Sequence, residues 1–123
     1  MVEASCHCGA VKFEIAEPPD EVTDCNCSIC RKLGVRWAYY HPDQVRIDAA
    51  PDALGAYSWG DNRIAFHHCR NCGCPTHWTG VNDGRRDRMG VSARLMDPTV
   101  LKGVRIRKLD GADTWTARFA YEE

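Results

Sequence analysis

The chain has 123 residues, 44% of them hydrophobic and 27% charged, with a formal net charge of −1. That length suits one domain over residues 1–123 with a modest core, and the near-neutral balance gives no chain-wide attraction to nucleic acid or an anionic membrane. Met1 to Cys6 has neither the basic nor the apolar region of a secretory leader, and no stretch approaches the roughly 20 apolar residues that span a bilayer, so the expected compartment is the cytoplasm.

Val11, Phe13 and Ile15 alternate with Lys12 and Glu14, the pattern of a half-buried strand that Pro18-Pro19-Asp20 ends. Ser28 to Leu33 reads as a short helix, with Ser28 as N-cap and Gly34 just past its end. Val35, Trp37 and Tyr39 alternate again, His41-Pro42-Asp43 turns the chain, and Val45 and Ile47 mark a further strand. Tyr57 and Trp59, then Ile64 and Phe66, flank Gly60-Asp61-Asn62 as a β-hairpin. Trp78 and Val81, then Met89, Val91 and Ala93, suggest two strands around Asn82-Asp83-Gly84. Asp97-Pro98 opens a second short helix that Gly103 stops. Val104, Ile106 and Leu109 form a last strand, and Trp115 and Phe119 are expected to close the core. The expected fold is mainly β with two short helices.

Eight cysteines fall in three groups: Cys6-His7-Cys8-Gly9, Cys25-Asn26-Cys27-Ser28-Ile29-Cys30 and Cys69-Arg70-Asn71-Cys72-Gly73-Cys74. A reducing cytosol disfavours disulfides, and cysteines this close in sequence are poorly placed to bridge one another, whereas tight clusters bring several thiolates to one point. Metal is therefore the favoured explanation. Ferredoxin spacings are absent, which disfavours an iron–sulfur cluster. Cys69-x-x-Cys72-Gly73 is a zinc knuckle, and Cys6-x-Cys8-Gly9 is a natural partner pair for it. The second group then has three thiolates and a fourth position open to an outside ligand. The alternative is a second closed site, completed by Cys74 or a histidine. Cys30 lies near the start of the first helix, where the dipole favours a thiolate.

Ser5 to Glu14, Cys25-x-Cys27-Ser28-x-Cys30-Arg31-Lys32 and Phe66-His67-His68-Cys69-Arg70-x-Cys72-Gly73 resemble, in order, three motifs of the glutathione-dependent formaldehyde-activating enzyme family, which includes centromere protein V. The resemblance covers the first two thirds of the chain. It implies an Mss4-like (β-tent) fold and two zinc ions per chain. Cys6, Cys8, Cys69 and Cys72 would hold a structural zinc, and Cys25, Cys27 and Cys30 a catalytic one; this pairing comes from the family. The implied activity is that of a carbon–sulfur lyase adding a small thiol, glutathione or similar, to an aldehyde. The competing reading is a zinc-stapled binding module with two closed sites, and a third is a thiol redox sensor on Cys25, Cys27, Cys30 and Cys74. No nucleic-acid or membrane partner is expected.

Among the remaining residues, His67 or His68 is expected to face the core or support a zinc sulfur. His77 is a candidate proton donor or, more simply, a partly exposed strand histidine, and His7 points to solvent. Arg31 and Lys32 raise the positive potential beside Cys30 or form a solvated helix face. Arg85, Arg86 and Arg88 read as a solvated loop. Trp37, Tyr39, Tyr57, Trp59 and Trp78 read as core aromatics.

Overall fold

A computed structural model describes residues 1–121. Its elements follow in the order β1 (Val2–Ser5), β2 (Val11–Ile15), β3 (Glu21–Cys25), α1 (Ser28–Leu33), β4 (Trp37–Tyr40), β5 (Val45–Ala49), β6 (Leu54–Tyr57), β7 (Ile64–Cys69), β8 (Pro75–Gly80), β9 (Met89–Ser92), β10 (Arg105–Leu109) and β11 (Ala117–Tyr121). Three 3-10 turns lie at Pro42–Gln44, Ala93–Leu95 and Pro98–Leu101. The architecture is mainly β, as expected. No helix among the described residues is long and apolar enough to cross a membrane.

The strands form two sheets. A three-stranded sheet has the order β1-β2-β5, and an eight-stranded sheet has the order β11-β10-β3-β4-β9-β8-β7-β6. Pairing is antiparallel except between β3 and β10, which run parallel with Arg105 opposite Glu21 and Leu109 opposite Cys25. One register irregularity falls between His67 and His68 on β7.

The alternation read in β2 is the core of the molecule. Val11, Phe13 and Ile15 are at most 1% exposed and pack in one cluster with Val22, Ala38, Tyr40, Val91 and Ile106 from the larger sheet. Apolar side chains on one face of a short strand remove most of their area from water, the dominant favourable contribution in so small a domain. A second cluster joins Trp37, Trp78 and Val35 to Cys25 and Cys30, with Phe66, Tyr39 and Leu109 packed around it.

Several expectations change. Ser28 is the first helical residue and Cys27 is the N-cap, without a side-chain capping bond, while Gly34 ends the helix in the left-handed conformation as expected (φ +69°). The second helix is a 3-10 turn, Pro98–Leu101, capped by the Asp97 side chain on the Thr99 N–H. Trp115 and Phe119 do not close the core: they are 68% and 52% exposed. β11 is an edge strand, and the Arg105 guanidinium covers the Phe119 ring at 4.6 Å. Trp59 and Tyr57 are also exposed, beside the hairpin turn.

His77 is buried rather than partly exposed. Its ring stacks on His67 at 4.2 Å, meets the Phe13 edge at 5.4 Å and shares a 2.9 Å hydrogen bond with Thr76. Burial, with the nearby His67, pushes its pKa down to about 3. It is neutral at physiological pH, which removes it as an imidazolium proton donor.

A histidine that titrates near 6.5 unfolded and near 3 folded binds more protons in the unfolded state between those values. Stability is therefore lost as pH falls through that window, by about 1.4 kcal/mol per pH unit. The stability difference between the wild type and His77→Gln should shift by this slope below pH 6.5, read from denaturant midpoints; parallel pH curves would contradict it. Phe13→Ala should cost about 3–5 kcal/mol in the same assay at neutral pH.

Candidate metal centre

The structure gathers the cysteines into two groups. The sulfurs of Cys6, Cys8, Cys69 and Cys72 all lie within 4.8 Å of one another, and so do those of Cys25, Cys27 and Cys30.

The first group joins the tips of two hairpins. Cys6 follows β1, its N–H bonding the Val11 carbonyl at 3.0 Å, and Gly9 turns the chain at φ +81°. Cys69 ends β7, its N–H bonding the Cys74 carbonyl at 2.9 Å, and Gly73 turns the chain at φ +82°. Both turns need a left-handed residue, which glycine adopts without penalty. Backbone donors then point at sulfur: Val11 N–H to Cys6 Sγ at 3.4 Å, and Cys72 N–H to Cys69 Sγ at 3.5 Å. Cys8 Sγ lies 3.7 Å from both Cys6 Sγ and Cys69 Sγ.

Four thiolates about 2.3 Å from a tetrahedral zinc ion stand about 3.8 Å apart. The observed spacing fits that ion. The electrostatics fit as well. Burial pushes the Cys6 thiol up to about 11. The backbone N–H groups of Cys74 and Cys8 pull Cys72 down to about 5, and the Asn71 side chain and the Ala10 N–H lower Cys8. A site with some thiols favoured as anions and one resisting ionisation is completed by a cation. Cys74 belongs beside this group: the His7 N–H lowers its pKa, but burial and the Cys72 sulfur outweigh that and leave it raised.

The second group is built differently. Cys25 ends β3, Cys27 caps α1 and Cys30 lies inside it. Cys27 N–H points at Cys25 Sγ at 3.5 Å, and the indole N–H of Trp37 donates to Cys30 Sγ at 3.3 Å. Burial pushes Cys30 up to about 12, which overrides any benefit from the short helix, and burial raises Cys25 too. Burial also opposes ionisation of Cys27, but the Cys30 N–H and the neighbouring sulfurs outweigh it, and Cys27 falls below the usual thiol range. Among the described residues, neither Cys74 nor any histidine, aspartate or glutamate joins these three sulfurs.

A loop outside the cysteine motifs completes this site. Asn26 donates to Asp110 Oδ1 at 3.0 Å and accepts the Ala112 N–H at 3.0 Å. Asp110 Oδ2 accepts from the Thr114 hydroxyl at 2.9 Å. Gly111 then lies against Cys25: a Cβ there would sit 2.5 Å from Cys25 Sγ. A cleft of about 200 Å³ has Cys25 and Cys30 in its wall. Sequence reasoning took Trp37 as a core aromatic and assigned Asp110 and Gly111 no role. Their contacts with sulfur depend on strand pairing, which no local signal reports. His67 bonds Thr79 at 2.9 Å, and the His68 ring covers Gly55.

Cys69→Ser should release one metal ion per chain and lower the melting temperature by roughly 10 °C or more, because structural metal binding is folding free energy. Metal analysis and a melting curve check this; unchanged values would remove the four-sulfur site.

Known proteins resemble this chain in sequence and in fold. A Halomonas elongata protein named "Putative glutathione-dependent formaldehyde-activating enzyme" is 54% identical over 33 residues, a stretch covering 26% of this chain and 21% of that protein. The match therefore spans about a fifth of that relative's length. A crystal structure of a Rhodobacter sphaeroides protein superposes with a TM-score of 0.69 at 27% identity, covering 83% of this chain and 96% of that one. The family model described as glutathione-dependent formaldehyde-activating enzyme matches residues 1–110, both cysteine groups included, and the chain belongs to that family.

Proposed function

We propose that this chain is a zinc-dependent carbon–sulfur lyase in which residues 1–123 act as one domain. It adds a small thiol, glutathione or a relative of it, to an aldehyde such as formaldehyde. Cys6, Cys8, Cys69 and Cys72 hold a structural zinc, and Cys25, Cys27 and Cys30 hold a catalytic one. The observation that carries this reading is the three-sulfur group with no fourth ligand among the described residues, two of whose cysteines, Cys25 and Cys30, line a cleft. Structural zinc sites are closed by four protein ligands, whereas catalytic ones keep a position free.

Zinc held there supplies a Lewis-acid position at which an incoming thiol ionises near neutral pH. The chain's own residues prepare that position. Trp37 fixes Cys30 through its indole N–H, and the Asn26–Asp110 pair fixes the backbone around Cys25 and Cys27. Gly111 packs against Cys25, and the cleft lined by Cys25 and Cys30 offers the thiol a way in. In the addition a carbon–sulfur bond forms and the carbonyl π pair moves to oxygen. That oxygen takes up one proton, matching the one the thiol gave up. His77, buried and neutral, is not the imidazolium that delivers it.

A binding module with two closed sites needs a fourth ligand at the second group. The position of Cys74 beside Cys69 and Cys72 withdraws one candidate, and it also leaves the redox reading without its fourth thiol.

The test is metal content alongside turnover of a thiol with formaldehyde. Cys27→Ala is expected to fall from two zinc ions per chain to one, keep its far-ultraviolet circular dichroism and lose turnover by at least about 10³-fold. Full activity in this variant would exclude the catalytic role.

A further inference from the structure

The cleft that reaches Cys25 and Cys30 is bounded by Asp24, Asn26, Arg31 and Arg94. Its polar groups differ in one respect. Asp24 is matched by Arg36 at 3.6 Å, and Asn26 is occupied by Asp110 and Ala112. Arg31, on α1, and Arg94, in the 3-10 turn after β9, have no ion pair or side-chain hydrogen bond among the described residues. Several other surface arginines are matched, Arg46 with Glu14 at 3.3 Å, Arg85 with Asp87 at 2.8 Å and Arg105 with Glu21 at 3.3 Å; Arg70 and Arg118 are not, among the described residues, but neither lines this cleft. Two arginines from distant segments thus line one small cleft without an ion pair of their own, together with Cys25, Cys30 and the already paired Asp24.

Guanidinium is the side chain best suited to a carboxylate, which it grips through paired N–H donors in a plane. A thiol whose sulfur approaches Cys25 and Cys30 through this cleft brings its remaining atoms beside Arg31 and Arg94. We propose that Arg31 and Arg94 form a carboxylate-binding subsite, and that the site selects thiols carrying a carboxylate over neutral thiols of similar size. The inference rests on the proposed thiol-binding role of the three-sulfur site and assigns its specificity to two residues that hold no metal.

Binding, rather than turnover, tests it. Full-length protein is loaded with Co(II), whose sulfur-to-cobalt absorption reports a new thiolate ligand. It is titrated with 3-mercaptopropionate and with 2-mercaptoethanol, in the wild type and in Arg31→Ala/Arg94→Ala. Both side chains are exposed, and far-ultraviolet circular dichroism verifies the fold. The double variant should raise the half-saturating concentration of 3-mercaptopropionate about tenfold, the scale of a charge-assisted hydrogen-bonded pair. For 2-mercaptoethanol it should change less than twofold. Equal weakening of both thiols, or no change in either, overturns the subsite while leaving the open thiol position intact. No spectral response to either thiol in the wild type overturns the open position itself, and the subsite with it.

Discussion

Four sulfurs within 4.8 Å of one another cannot all be thiolates without a cation among them, and the Cys6–Cys8–Cys69–Cys72 group fixes the layout of the molecule through that constraint. The four come from two hairpin tips, β1–β2 and β7–β8, which belong to different sheets. Holding the tips together sets the position of the small sheet on the large one. It also helps enclose Val11, Phe13 and Ile15, whose burial would otherwise depend on a core of limited size. Glycine at φ +81° and +82° in the two turns lets backbone N–H groups face sulfur instead of pairing across the strands.

The second group inverts that logic. Its three cysteines lie within six consecutive residues, so they bridge nothing distant in the chain. What surrounds them comes from several elements: Trp37 from the nearby β4, and from far along the chain Asp110 and Gly111 after β10 and Arg94 after β9. In the proposed reading the first site uses cysteines to hold the fold together, and the second uses the fold to prepare cysteines. Burial that raises the Cys25 and Cys30 thiols also makes a thiolate there dependent on a cation, while the cleft leaves one flank accessible.

Much of this was legible in the chain. The alternation of Val11, Phe13 and Ile15 marked the most buried strand, and the span Ser28 to Leu33 with Gly34 beyond it marked α1. The cysteine groups were visible because metal-ligand spacing is a local property. β1, β3 and β11 were missed. Val2–Ser5 and Glu21–Cys25 are short and carry few apolar residues, and Ala117–Tyr121 is an edge strand whose aromatic ring lies outside under an arginine. Trp115 and Phe119 misled because aromatic residues are usually core, whereas here both stay exposed, Phe119 on an edge strand under the Arg105 guanidinium. His77 looked exposed because residues at its neighbouring positions do not reveal that β2 covers it with Phe13. The contacts of Gly111 and Asn26 follow from the parallel register of β3 and β10, a pairing between segments about 84 residues apart that no sequence window spans.

That parallel pair carries a consequence for how the molecule is assembled. Emerging from a ribosome N-terminus first, the chain presents Cys25, Cys27 and Cys30 long before Arg105–Leu109 can lie beside β3. The four-sulfur site has all its ligands once residue 72 is clear, so it can trap an ion and lock the two hairpins while the last third is still being made. The three-sulfur site meets its flanking strand and the Asp110–Thr116 loop only after residues 105–116 have followed, with the slow closure that distant parallel pairing imposes. Until then its thiols stand open to oxidants and to stray metal ions. The order of synthesis thus protects the scaffold early and leaves the reactive cluster as the most vulnerable part of the newborn chain.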